Sequence, residues 1–154
     1  MNGQPILYAE DEENDILFME RAFHFAGVTN PLVTVPNGQL AVEYLSSLRD
    51  QDPALFPCLV LLDLNLPLKS GLEVLKWIRA HPFFCTLPVL VISSSDQDSD
   101  IQRAYLQGVN GYLVKPSNPK ELQSMVKALK DYWLTYNHGT ESASSPVWTL
   151  QRSA

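Results

Sequence analysis

Short apolar runs alternate with stretches of helical periodicity along this chain, and most of the runs end in a reactive polar residue. Ile6-Leu7-Tyr8-Ala9 leads into Glu10-Asp11, Leu59-Val60-Leu61-Leu62 into Asp63, Val89-Leu90-Val91-Ile92 into Ser93, and Tyr112-Leu113-Val114 into Lys115. A further run from Leu32 to Val35 stops at Pro36-Asn37-Gly38. Brief β-branched and leucine-rich runs bounded by turn residues read as strands. The runs from Leu59 and from Val89 have no polar alternation, as expected of central strands buried on both faces.

Between the strands the period changes. Ile16, Met19, Ala22 and Phe23 recur at helical spacing within 13–26 and stop at Gly27, which predicts a helix with one buried face. Ala41, Leu45 and Leu48 predict a second. The stretch 49–57, with Asp50, Asp52 and Pro53, breaks the pattern and reads as a loop. Ser70 is placed to cap a third helix carrying Leu72, Val74, Leu75 and Ile78, with Pro82 beyond its end. A weaker helix spans 98–106, before Gly108 and Gly111. Asn118 caps a last, long one in which Leu122, Met125, Val126, Leu129 and Trp133 recur. Five strands alternating with five helices predict an α/β fold, a doubly wound parallel sheet covered on both faces.

Composition narrows the function. A chain of 154 residues with 45% hydrophobic content is the size of one domain, set here at 1–137. A polar tail is expected at 138–154, relieved only by Val147-Trp148-Thr149-Leu150, and no output domain is expected. A net charge of −6 and eleven scattered Lys and Arg argue against a nucleic-acid partner. No apolar stretch approaches the roughly twenty residues of a membrane span, and no signal-peptide pattern occurs, so a cytoplasmic protein with no membrane contact is expected. Cys58 and Cys85 lack metal or redox spacing and read as structural thiols. His24, His81 and His138 have no partner spacing.

Parallel strands with helical crossovers expose their carboxyl ends along one edge, where open α/β folds bind ligands. Glu10, Asp11 and Asp63 would then share one crevice. Clustered carboxylates repel one another unless a cation divides the charge, and a hard divalent ion such as Mg²⁺, with Mn²⁺ as an alternative, suits them. The competing reading is that each acid caps the next helix. Lys115 can pair with Asp63 or bridge to a phosphoryl oxygen, and the Lys115-Pro116 step admits a cis peptide. Ser93 can bond a phosphoryl oxygen or merely serve its turn. The set suggests phosphoryl transfer to Asp63 as nucleophile. P-loop and GxSxG motifs are absent, and residues 11–15 lack the spacing of an EF-hand loop. A dehalogenase-like phosphatase would carry DxD where this chain has Asp63-Leu64-Asn65.

In order along the chain, Ile-Leu-Tyr-Ala-Glu-Asp, Leu-Val-Leu-Leu-Asp-Leu-Asn-Leu-Pro, Pro-Val-Leu-Val-Ile-Ser and Gly-Tyr-Leu-Val-Lys-Pro resemble the response-regulator receiver domain of two-component signalling. The resemblance implies the flavodoxin-like receiver fold with strand order 2-1-3-4-5. It implies that Asp63 accepts a phosphoryl group from a sensor histidine kinase or histidine phosphotransfer protein. Asp11 would bind the metal, Glu10 would act at or near it, and Asn65 would contribute its backbone carbonyl. Lys115 would hold the phosphoryl group, Ser93 and Tyr112 would be the switch pair, and Ser95 would help set the lifetime of the phosphate. Glu10-Asp11 with Asp15 close behind, the expanded loop 49–57 and the long last helix are similar to the single-domain regulators associated with cyanobacterial phytochromes. These are often dimeric, which would place Trp133 and Tyr136 on a homodimer face unless they simply close the core. The expected output is altered binding to a downstream protein, not enzymatic turnover. The alternatives are a constitutive interaction module and, less well matched, an aspartyl-nucleophile phosphatase.

Overall fold

The computed structural model describes residues 3–138. The strands are β1 (Ile6–Ala9), β2 (Leu32–Val35), β3 (Leu59–Leu62), β4 (Val89–Ser93) and β5 (Gly111–Val114), and the helices are α1 (Glu13–Phe25), α2 (Gly38–Leu48), α3 (Gly71–Ala80), α4 (Asp98–Leu106) and α5 (Pro119–Leu129). The expected alternation therefore holds throughout. All strand pairs are parallel, in the order β2-β1-β3-β4-β5, which is the doubly wound arrangement anticipated. Every residue of β1, β3 and β4 is buried, while β2 and β5 are only partly covered. That gradient follows from strand order: edge strands have one neighbour, central strands two.

The sheet divides the core in two. On one face Leu7, Val60, Leu62, Val89 and Val91 pack with the apolar sides of α2 and α3. On the other, Ile6, Tyr8, Leu59, Leu61 and Ile92 pack with Met19, Ala22 and Phe23 of α1 and Val126 and Leu129 of α5. Successive strand residues thus feed opposite layers, as a pleated strand requires.

Helix ends follow the predicted signals at Gly27, Ser70 and Asn118, and Asn37, read only as part of a turn, caps α2 as well. Asn37 Oδ1 accepts from the Leu40 amide, Asn118 Oδ1 from the Glu121 amide, and Ser70 with Glu73 closes a reciprocal capping box. Gly27 terminates α1 at φ +73°, a conformation that costs other residues a Cβ clash.

Three expectations are modified. The loop 49–57 contains a 3₁₀ turn, Pro53–Leu55, capped by Asp52. The last helix is not one continuous α-helix: after Leu129 it widens into a π-helical turn, Lys130–Tyr136. The wider turn sets Trp133 and Leu134, adjacent in sequence, against one apolar cluster. Trp133 therefore closes the core, whereas Tyr136 is exposed. The Lys115–Pro116 peptide is trans, since none of the described peptide bonds is cis. Apart from His138, the segment assigned as a tail, with Val147 to Leu150, lies outside the described residues. Among the described residues no helix is long and apolar enough to cross a membrane.

Candidate functional site: an acidic cleft at the carboxyl edge of the sheet

Strand register brings the polar run-ends together. Ala9 pairs with Leu62 across β1 and β3, and Ser93 with Val114 across β4 and β5. The residues that follow, Glu10, Asp63, Ser94 and Lys115, therefore leave the sheet in a row along one edge. The backbone extends the ladders by one step, with Asp63 N donating to Ala9 O at 3.1 Å and Lys115 N to Ser93 O at 2.8 Å. Gly71, at the start of α3, packs directly on this edge. A Cβ there would collide with the carbonyl oxygen of Asp63, so glycine allows α3 to begin so close to the site.

Lys115 Nζ sits among three carboxylates, 2.6 Å from Glu10 Oε2, 2.9 Å from Asp63 Oδ2 and 2.9 Å from Asp15 Oδ2. Glu10 is fully buried and Asp63 nearly so, while Asp11 is exposed at the rim. Glu10 is held at both oxygens: Oε1 accepts from the Glu12 amide at 3.1 Å, and Oε2 accepts a long 3.4 Å bond from the Tyr8 hydroxyl. Asp63 Oδ1 accepts from the Asn65 amide at 3.2 Å.

The electrostatics follow from burial and crowding. Burial pushes the Glu10 carboxyl up to about 7, with Asp63 pushing the same way and Lys115 pulling it down. Burial disfavours the Lys115 charge as well, but hydrogen bonds to Glu10, Asp15 and Asp63 outweigh it and lift the ammonium above its ordinary range. The Tyr8 hydroxyl is raised, first by burial and then by Glu10. Ligand atoms of Glu10, Asp11 and Asp63 lie within 4.8 Å of one another. A hard-oxygen donor set at that spacing fits Mg²⁺ or Mn²⁺.

A cleft of about 460 Å³ opens above these groups, lined by Asp11, Asp15, Asp63, Asn65, Ser94 and Lys115, among others. The structure thus brings Glu10, Asp11, Asp63, Asn65 and Lys115 together. It does not bring in Ser93, which is buried with its Oγ accepting from the Ser95 amide at 3.1 Å, so that Ser94 lines the cleft instead. Tyr112 is farther out and donates its hydroxyl to Ser95 O at 2.8 Å. Ser95 is therefore the link between the expected switch residues, through its amide on one side and its carbonyl on the other.

Sequence reading missed two participants. Tyr8 is one, and only its hydroxyl, out of place in a buried strand, could have signalled it. Asp15 is the other: it was noted as following the acidic pair, but its contact is with a lysine 100 positions away.

Comparison with known proteins agrees with this geometry. Residues 6–127 match the family model of the response regulator receiver domain. The chain is 37% identical over 132 residues to the probable methanogenesis regulatory protein FilR2 of Methanothrix harundinacea, covering 86% of this chain and 84% of that one. It is 33% identical over 129 residues to response regulator Rcp1 of Synechocystis, covering 84% and 88%. The crystal structure of the Mn²⁺-bound form of Rcp1 superposes with a TM-score of 0.76, covering 88% of this chain and 98% of that one at 32% identity. That of the phosphorylated cyanobacterial phytochrome response regulator RcpA superposes with a TM-score of 0.81 at 36% identity, covering 89% and 98%. With the motifs in order, the strand order and the acidic edge all in agreement with these matches, the chain belongs to the response regulator receiver domain family.

Proposed function

We propose that this receiver takes a phosphoryl group onto Asp63 from a phosphohistidine of a sensor kinase or phosphotransfer protein, in a Mg²⁺-dependent reaction, and signals by a change in protein binding. The observation that carries the reading is the Lys115 ammonium 2.9 Å from Asp63 Oδ2, in the cleft that holds the carboxylate cluster. Asp63 attacks phosphorus through a carboxylate oxygen, the N–P bond breaks, and its electron pair returns to the imidazole. A divalent cation held by Glu10, Asp11, Asp63 and the Asn65 carbonyl would offset charge on the transferring oxygens. Lys115 neutralises what develops on the phosphoryl group as a point charge.

The phosphoryl group adds nearly two negative charges. On this reading Ser93 turns its hydroxyl from the Ser95 amide toward the new oxygens. Tyr112, bonded to the same residue, responds, and the surface of α4, β5 and α5 changes its preference for a downstream protein or a second copy of the chain. Similarity to RcpA and Rcp1 supports a phytochrome-type kinase as the phosphodonor.

The test is intact-protein mass after incubation with Mg²⁺ and acetyl phosphate. One added phosphoryl group in the parent and none in Asp63→Asn is the expected result. Equal labelling of Asp63→Asn would remove the assigned acceptor, and no adduct in either protein, with a stable beryllofluoride complex also absent, would favour the constitutive binding module.

A further inference from the structure

Asp15 has no part in the chemistry described above, yet its Oδ2 lies 2.9 Å from Lys115 Nζ. The other two carboxylate partners of that ammonium have second obligations. Glu10 and Asp63 both belong to the cluster suited to a divalent cation, and Asp63 is also the proposed acceptor. Asp15 stands in the first turn of α1, outside the cluster, and is not consumed when Asp63 reacts. An ammonium group has three N–H bonds, and three carboxylate oxygens surround this one.

Asp15 and Lys115 also stand together where the acidic cleft meets a second cavity of about 220 Å³, whose apolar wall includes Phe18, Met19 and Leu122. That wall shields one side of the pair, leaving the Lys115 side chain 17% and the Asp15 side chain 39% exposed. Hydrogen bonds to charged groups are stronger where water is kept away.

We infer that Asp15 is the permanent anchor of Lys115: it holds the ammonium in place while Glu10 turns to the cation and Asp63 is converted to an acyl phosphate. The inference rests on the receiver reading above. On phosphorylation the Asp63 oxygen loses its anionic charge, and the N–H that faced it meets a phosphoryl oxygen instead. With Asp15 in place that exchange needs little movement. Without it, Lys115 is a point charge on a flexible stem whose remaining partners, Glu10 and Asp63, are both shared with the cation cluster. Asp15 is a positioning residue acting through Lys115.

A double-mutant cycle on the full chain tests this, read by affinity for beryllofluoride, a phosphoryl mimic, at saturating Mg²⁺. Asp15→Ala is expected to weaken binding about tenfold, the worth of one charge-assisted hydrogen bond at a partly exposed site, and Asp15→Glu to recover part of the loss. In a Lys115→Ala background, Asp15→Ala should change nothing, because a residue acting through Lys115 has nothing left to act on. A loss of equal size in both backgrounds would assign Asp15 to the general acidic field and overturn the inference, as would an Asp15→Ala chain that binds like the parent. Heteronuclear NMR of the Lys115 ammonium, with no mimic present, reads the anchor directly: a resolved, slowly exchanging signal in the parent should broaden or vanish in Asp15→Ala, and an unchanged signal would overturn the inference. A parent that fails to take beryllofluoride overturns the receiver reading, while the ammonium signal still decides the anchor.

Discussion

Two cations lie toward opposite edges of this sheet, and they are satisfied in opposite ways. Lys115, at the carboxyl edge, is surrounded by carboxylates. Arg79, at the end of α3, reaches the opposite edge and meets only neutral oxygens. Its Nε donates to Gly108 O at 2.8 Å, one Nη donates to Cys85 O at 3.1 Å and Leu87 O at 2.8 Å, and the other Nη donates to Asn110 Oδ1 at 2.8 Å. Asn110 Oδ1 also accepts from the Val89 amide at 2.8 Å. The guanidinium thus ties α3 to the segments entering β4 and β5. Its planar fork matches fixed carbonyls, and no proton or ion competes for them. Lys115 shares its charge with groups that a cation, a proton or a phosphoryl group can each claim. The first arrangement suits permanence, the second exchange.

The largest effect expected from this contrast is on stability at Arg79. Arg79→Ala removes four donated bonds and strands acceptors at three backbone carbonyls and one side chain. A loss of about 3 kcal/mol in urea unfolding is expected, and Arg79→Lys should recover little of it, because an ammonium cannot reproduce the fork. Measured against the parent under the same conditions, the deficit should be the same with and without Mg²⁺ and between pH 5 and 8, as none of the four acceptors titrates or belongs to the carboxylate cluster. Rescue by either would abolish the contrast.

Lys115→Ala should cost less, about 2 kcal/mol at neutral pH, and should be rescued by both. Glu10 supplies the sign. Its folded-state value is raised from 4.5 to about 7, so between those values the folded chain binds more protons than the unfolded one, and stability falls as pH rises through the window. In the metal-free parent, Glu10 alone should therefore make the chain more stable at pH 5 than at pH 7. Removing Lys115 takes away the larger of the two influences that lower this carboxyl, the Glu12 amide being the other, so the slope should steepen. Mg²⁺ at pH 7 should narrow the gap to the parent, because without the competing ammonium the carboxylate cluster binds the cation more tightly, and tighter binding to the folded form stabilises it more. Thermal unfolding at the two pH values, with and without Mg²⁺, measures all of this; a Lys115→Ala deficit indifferent to both would show that the ammonium serves structure as Arg79 does.

How much of this could be read in the sequence divides along the same line. The strands, the helix caps at Ser70 and Asn118, and the sheet order implied by the motifs were legible, because they depend on local periodicity, on turn chemistry or on a family pattern. So were Glu10, Asp11, Asp63 and Lys115, since a reactive residue at the end of an apolar run is placed by the strand before it. The partners of the two cations were not. Arg79 looks like any exposed helical arginine until the loops entering β4 and β5 fold over it. Asp15 looks like a solvated helix start until a side chain from β5 reaches it across the sheet edge. The π-helical turn at Lys130–Tyr136 was hidden for a related reason: the apolar spacing ending at Trp133 fits an α-helix, and only packing against the α1 layer selects the wider turn.

The smallest expected effect is the sharpest probe of why Arg79 is given neutral acceptors. Asn110→Asp keeps an oxygen where both Arg79 and the Val89 amide need one and gives the guanidinium a charged partner. Because this residue is exposed, solvent screens the pair, and the gain at neutral pH should stay below about 1 kcal/mol. It should shrink further in high salt. At acid pH it should disappear, because protonating the carboxyl adds a hydrogen to a site where two donors already converge. Urea midpoints at two pH values and two salt concentrations measure the effect. A gain well above that bound, insensitive to salt, would mean that Arg79 is short of negative charge as Asn110 stands. Neutral acceptors would then be a compromise at that edge, and what separates the two cations would be only what surrounds them, with no consequence for permanence or exchange.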